Sequence, residues 1–211
     1  MRSGTDPTRH KSLSRRLGLM DDDRNLKPPE TYEEILSASA ALGFGLGSER
    51  VTGSLLRTLA ASKPGGRTLE IGTGTGMGTC WLLDGMDTGS RLISVDNDAA
   101  AMAVAIRFLG RDQRVAFRLE DAVATVEGLE ESQFELIFAD SFVGKYTHLE
   151  RTLKLLKPAG IYVIDDMLPQ PTWPADHGPK VERLLAELDP REDVVVTKMK
   201  WASGIVVAVK R

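Results

Sequence analysis

The sequence predicts an α/β fold in which a seven-stranded, mostly parallel sheet carries helices on both faces and finishes in an antiparallel pair of C-terminal strands. Three observations predict it. From Arg67 onward, short apolar runs alternate with segments of helical period, the pattern of β-α-β units. The first run ends in Gly72-Thr73-Gly74-Thr75-Gly76 and passes straight into a helix. The last two runs lie too close together to be joined by a helical crossover, which leaves antiparallel pairing.

Residues 1–28 mix Arg2, Arg9, His10, Lys11, Arg15 and Arg16 with Asp21, Asp22 and Asp23 and hold few large apolar side chains. They predict a flexible N-terminal tail, with an arm that orders over a ligand as the sharper alternative. Residues 29–211 then form a single domain, with N-terminal helices over 29–62 and the sheet core over 67–211. Thr31 and Glu34 have the spacing of a capping box for a helix whose apolar face is Ile35, Ala38 and Leu42. A second helix is expected from Ser48 to Ala61 with Val51, Leu55, Leu56 and Leu59 inward. Gly43, Gly45 and Gly47 break the chain between the two. Strands follow at Thr68 to Ile71, Arg91 to Val95, Val115 to Leu119, Phe134 to Ala139 and Ile161 to Ile164. Between them lie helices through Trp81 and Leu83, from Ala99 to Leu109, near Ala122 to Val126, and from Tyr146 to Leu156. A helix from Lys180 to Leu188 leads to the last two strands, Asp193 to Thr197 and Ile205 to Lys210.

With 211 residues, 42% of them hydrophobic and 27% charged, the chain suits one domain with one sizeable core. A net charge of −3 lacks the basic excess that nucleic acid or anionic membrane surfaces select, so no nucleic acid and no membrane partner is expected. A small molecule is the favoured partner, and a homodimer stays open. The lone Cys80 sits in an apolar helix and reads as core filler. It cannot close an internal disulfide, and no long apolar run is present, which together suit a cytoplasmic protein.

A glycine cluster at a strand end lets backbone approach a ligand closely. Its spacing departs from the dinucleotide fingerprint, whose third glycine would stand where Met77 stands. An acid two residues before the cluster, Glu70, resembles the first motif of class I S-adenosylmethionine-dependent methyltransferases, whose Rossmann-like sheet also ends in an antiparallel pair. The resemblance implies that Glu70, Gly72, Thr73, Gly74 and Gly76 serve the methionine portion of that cofactor. It puts Asp96, at the end of the next strand, on the ribose hydroxyls with Asn97 beside it. Asp121 and Ala122 would then lie near the adenine, Asp121 doubling as a helix cap.

Asp140 ends the fourth strand, and Asp165 and Asp166 end the fifth, on the edge of an α/β sheet where ligands bind. This set resembles the small O-methyltransferases of the catechol and caffeoyl-coenzyme A type, in a bacterial branch, from about Ser48 to the C-terminus. The resemblance implies that Asp140, Asp165 and Asp166 hold a divalent metal, Mg²⁺, Ca²⁺ or Mn²⁺, with Asp140 also at the cofactor. Two positions depart from the family pattern. Asp166 replaces an asparagine, and Val143 stands where the family keeps a lysine, with Lys145 two positions later. Lys145 is then a candidate for stabilising an oxyanion, or a solvated cation on the first turn of a helix. His177 is a candidate base, or the plain start of the last helix, and Trp173 in the proline-rich loop is a candidate wall for an acceptor.

The function implied is methyl transfer to a hydroxyl of a small aromatic acceptor, assisted by a metal. Three alternatives stay open: a metal-independent methyltransferase acting on another atom, a nicotinamide oxidoreductase, and a nucleotide-binding module without catalysis.

Overall fold

The computed structural model of the chain describes residues 21–24, 26–171 and 173–211. Most of the expected tail, His10 included, lies outside them. The described part is tied down rather than free. Trp201 Nε1 donates to Asp22 at 2.5 Å, Arg57 donates to the Lys27 carbonyl at 2.8 Å, and Leu26 packs against the core.

The elements run α1 (Tyr32–Leu42), α2 (Arg50–Ala61), β1 (Arg67–Ile71), α3 (Met77–Gly85), β2 (Arg91–Asp96), α4 (Ala99–Leu109), β3 (Val115–Leu119), α5 (Ala122–Gly128), β4 (Phe134–Ala139), α6 (Leu149–Leu155), β5 (Leu156–Ile164), α7 (His177–Leu188), β6 (Val194–Met199) and β7 (Ile205–Lys210). The sheet order is β3-β2-β1-β4-β5-β7-β6. The first five strands pair in parallel, and β7 lies antiparallel to both β5 and β6, as the spacing of the last two runs predicts. Strand order reverses between β1 and β4, so their carboxyl ends open a crevice that loops alone can fill.

Side-chain alternation along the strands divides the interior into two cores. Ile137, Ala139, Tyr162 and Ile164 face one layer with Val126, Leu153 and Leu184. Leu136, Phe138, Ile161 and Val163 face the other, with Ile35, Leu56, Trp81 and Leu82. Cys80 is buried in this second layer, as expected of core filler, and burial pushes its thiol upward. Among the described residues no helix is long and apolar enough to cross a membrane.

Close packing of α2 on α3 rests on Gly53. A Cβ there would lie 2.2 Å from Trp81 Cδ1, and Trp81 is fully buried. Gly53→Ala should therefore destabilise the fold by about 3 kcal/mol through overpacking. Urea unfolding should show a lower midpoint at unchanged slope.

Several local expectations are corrected. Thr31 precedes α1 in a helical conformation, φ −80° and ψ −8°, and its side chain makes no cap hydrogen bond. The face of α1 that is buried is Tyr32, Ile35 and Ser39, while Leu42 is exposed. The helix expected from Tyr146 starts only at Leu149, because Gly144 (φ 88°) and His148 (φ 57°) take left-handed conformations and hold residues 142–148 in turns. Strand β5 begins earlier than expected, at Leu156, and crosses an irregularity in its register with β4.

Candidate active site

The loop after β1 is shaped by its backbone bonds. Gly72 N and Thr73 N donate to the Val95 carbonyl at 2.9 and 3.2 Å, and Gly74 N donates to Asp96 Oδ2 at 2.7 Å. Gly72 (φ 103°) is required twice over, since a Cβ would also strike the Asp140 carbonyl at 2.6 Å. Gly76 packs toward Ala105 and Leu109 of α4 and serves helix placement.

Glu70 is fully buried at the end of β1. Its Oε2 accepts from Thr79 Oγ1 at 2.5 Å and from Ser94 Oγ at 2.6 Å, and Ser94 Oγ lies 2.6 Å from Thr73 Oγ1. Its Oε1 has no hydrogen-bond partner among the described residues. Burial pushes the carboxyl up to about 7, against the pull of the two hydroxyls. Gly78 stands against this orphan oxygen, and a Cβ there would lie 2.7 Å from Oε1.

Two adjoining cavities open on this edge. The first, about 230 Å³, is lined by Phe44, Gly72, Thr73, Gly74, Asp96 and Asp98, among others. Asp96 holds the Gly74 and Asp98 amides, and Asp98 caps α4 through the Ala100 and Ala101 amides. The second, about 520 Å³, is lined by Phe142, Lys145, Tyr146, Trp173, His177 and the acids Asp165 and Asp166, among others. Leu46, Gly47, Ser48, Asp140 and Ser141 belong to both, and Ser48 Oγ donates to Asp140 Oδ2 at 3.1 Å. Burial raises the Asp140 carboxyl well above the usual range, helped by the neighbouring Asp165, while Lys145 and Ser48 pull it down.

The aromatic side of the second cavity is interlocked. His177 stacks on Trp173 with centroids 4.1 Å apart, and Tyr146 Oη lies 2.8 Å from His177 Nε2. Trp173 Nε1 donates to Asp166 Oδ2 at 3.0 Å. Burial lowers the His177 pKa below its ordinary value, against the pull of Asp166. The imidazole begins α7, the plainer of the two expectations for it, and is buried. Lys145 departs from the solvated alternative: it is 4% exposed, precedes α6 in the turn, and donates to the Asp165 carbonyl at 3.1 Å.

The expected metal triad is not assembled. Among the described residues no three His, Cys, Asp or Glu side chains converge to hold a metal ion. Each carboxylate accepts instead from a protein donor. Ser203 Oγ and the Asp166 amide bind Asp165 Oδ1, Trp173 binds Asp166, and Ser48 binds Asp140. The cation present among them is Lys145. As placed, these three carboxylates do not form a divalent-metal site among the described residues.

Of the expected cofactor residues, Gly72, Thr73, Gly74, Asp96 and Asp140 line the first cavity, with Glu70 behind Gly78. Asn97 is exposed and does not line it; nor do Asp121 and Ala122, where Asp121 caps α5 through the Val123 amide. Sequence reasoning missed Ser48, Phe44, Gly78, Tyr146 as a wall, and Ser203. The Gly43, Gly45, Gly47 series carried a signal for the first two, since such a run allows backbone to lie against a ligand as readily as it breaks a helix. Nothing local marks Ser203.

Known proteins extend this picture. A methyltransferase domain model matches residues 69–167. A protein of Dictyostelium discoideum named as a probable caffeoyl-CoA O-methyltransferase is 27% identical over 171 residues, covering 74% of this chain and 72% of its own length. The O-methyltransferase of Bacillus cereus, solved with S-adenosylhomocysteine, superposes with a TM-score of 0.78 at 22% identity over 95% of this chain and 97% of its own. An O-methyltransferase of Streptomyces achromogenes, solved with S-adenosylmethionine, gives 0.76 at 22% identity over 98% and 99%. The chain is therefore similar to the methyltransferase domain family over residues 69–167 and, over most of its length, to proteins named as O-methyltransferases, a probable caffeoyl-CoA O-methyltransferase among them.

Proposed function

We propose that residues 29–211 act as one domain that transfers a methyl group from S-adenosylmethionine to a hydroxyl of a small aromatic acceptor. The observation that carries this reading is the pair of cavities meeting at Asp140 and Ser48, one lined by the glycine loop and the other by aromatic rings. S-adenosylmethionine supplies a methyl group on a sulfonium, which an acceptor oxygen displaces while the carbon–sulfur electrons return to sulfur.

The residues present fit that cofactor. The unpartnered, buried Glu70 Oε1 suits its ammonium, and Gly78 leaves the approach to that oxygen open. Gly72, Thr73 and Gly74 offer backbone free of obstructing side chains, and the Asp96 carboxylate, pinned by two amides, suits two neighbouring hydroxyls. On the acceptor side, the stacked Trp173 and His177 and the Tyr146 and Phe142 rings offer flat apolar walls. With Nε2 engaged by Tyr146, His177 positions the wall rather than serving as the base.

Calorimetric titration with S-adenosylhomocysteine should find one site, weakened by about 1–3 kcal/mol in Asp96→Ala, the scale of a hydrogen bond to a charged group. A methyl-transfer screen over phenols and catechols, with and without Mg²⁺, should find turnover. Uniform inertness of those acceptors would refute the acceptor class.

A further inference from the structure

Among the described residues that line the second cavity, Lys145 is the only lysine or arginine. Its ammonium is buried, and the Asp165 carbonyl takes one of its three N–H donors at 3.1 Å. The turn that carries it is fixed on both sides. Tyr162 Oη donates to the Gly144 carbonyl, Gly144 N donates to the Thr147 carbonyl at 2.8 Å, and Tyr146 N donates to the Phe142 carbonyl at 2.9 Å. Around it stand Asp140 from the end of β4, Asp165 and Asp166 after β5, His177 at the start of α7, Tyr146 from its own turn, and Glu49 before α2. The acids accept from other donors and, among the described residues, do not converge into a metal-binding group.

We propose that the Lys145 ammonium, in place of a divalent metal, binds the acceptor's hydroxyl oxygen and favours its ionisation, which makes Lys145 a catalytic residue of a metal-independent transfer. A buried cation held beside an acceptor oxygen stabilises a developing oxyanion and lowers the pKa of its conjugate acid. In the step assigned to it, the acceptor O–H bond breaks, both electrons stay on oxygen, and the proton passes to water at the cavity mouth. The phenolate left behind pairs with the ammonium. This inference rests on reading the second cavity as the acceptor site.

The test is a spectroscopic titration that a purely structural lysine would not affect. 4-Nitrophenol, whose ionised form absorbs in the visible, is bound to the full chain saturated with S-adenosylhomocysteine and titrated with pH. The bound probe should ionise at least about tenfold more readily than the free probe. Lys145→Met should abolish that gain, and Lys145→Arg, which keeps the charge, should retain most of it. Calorimetry with S-adenosylhomocysteine, which reports on the first cavity, should still find one site in both variants, which shows that they are folded. Mn²⁺ followed by electron paramagnetic resonance should show no stoichiometric binding to the wild type, and EDTA should leave the probe titration unchanged.

Identical titrations of wild type and Lys145→Met would overturn the proposal. So would a stoichiometric Mn²⁺ whose removal erases the ionisation gain. Failure of any phenol, the probe included, to bind would instead refute the acceptor reading, and the role of Lys145 with it. A phenol that binds and is methylated while Lys145→Met titrates normally refutes Lys145 alone.

Discussion

Gly78→Ala should lower the affinity for S-adenosylhomocysteine by about 100-fold or more, a loss near 3 kcal/mol, while leaving the chain folded. The added Cβ would lie 2.7 Å from Glu70 Oε1, 3.1 Å from Phe138 Cε1 and 3.3 Å from Ser48 Oγ. It would thus shield Glu70 Oε1, a buried oxygen without a hydrogen-bond partner among the described residues, which lies behind the Gly78 wall of the first cavity. Crowding there costs about 1–3 kcal/mol of stability. Calorimetric titration read beside urea unfolding separates the two effects. Wild-type affinity in Gly78→Ala would show that the cofactor does not reach Glu70.

The second large effect is a dependence of stability on pH that Glu70 controls. Its carboxyl is raised from an ordinary 4.5 to about 7 in the folded chain because burial disfavours the charge. Between those values the unfolded chain has released the proton and the native chain still holds it. Stability from this group is therefore full below pH 4.5 and falls as pH rises toward 7, by about 3 kcal/mol in all. Asp140 and Asp165 are also raised by burial, so the measurement is the difference between wild type and Glu70→Gln. That difference should slope across pH 4.5–7 and flatten above it. Bound S-adenosylhomocysteine, through its ammonium, should reduce the slope, because it favours the ionised carboxylate. A difference that does not change with pH would show that Glu70 titrates normally.

Much of the scaffold was legible in the sequence because its signals are local. Runs such as Leu136-Ile137-Phe138 announce a strand buried on both faces, and the short spacing before Ile205 forces antiparallel pairing. Gly72, Gly74 and Asp96 were legible for the same reason: a strand end, a turn and an acid are separated by fixed distances along the chain. The acceptor side was legible only as a set of residue types. Asp165 looks like a free carboxylate until Ser203, 38 positions later, is placed on its Oδ1. Lys145 reads as a surface cation if the helix is extended to Tyr146, and the left-handed His148 that shortens it has no side-chain signature to announce it. Trp173 and His177 were each singled out, but their stacking depends on a turn in the loop between β5 and α7 rather than on any periodicity.

Asp140 stands in the walls of both cavities and is held by Ser48, which belongs to both as well. A side chain shared in this way makes each occupant thermodynamically visible to the other. If filling the first cavity alters the charge or the hydrogen bond of Asp140, the affinity of the second changes by some factor, and reciprocity requires the same factor in the opposite direction. Order of addition in a binding experiment then becomes informative. The ratio of acceptor affinities with and without S-adenosylhomocysteine measures how strongly one carboxylate couples the two ligands.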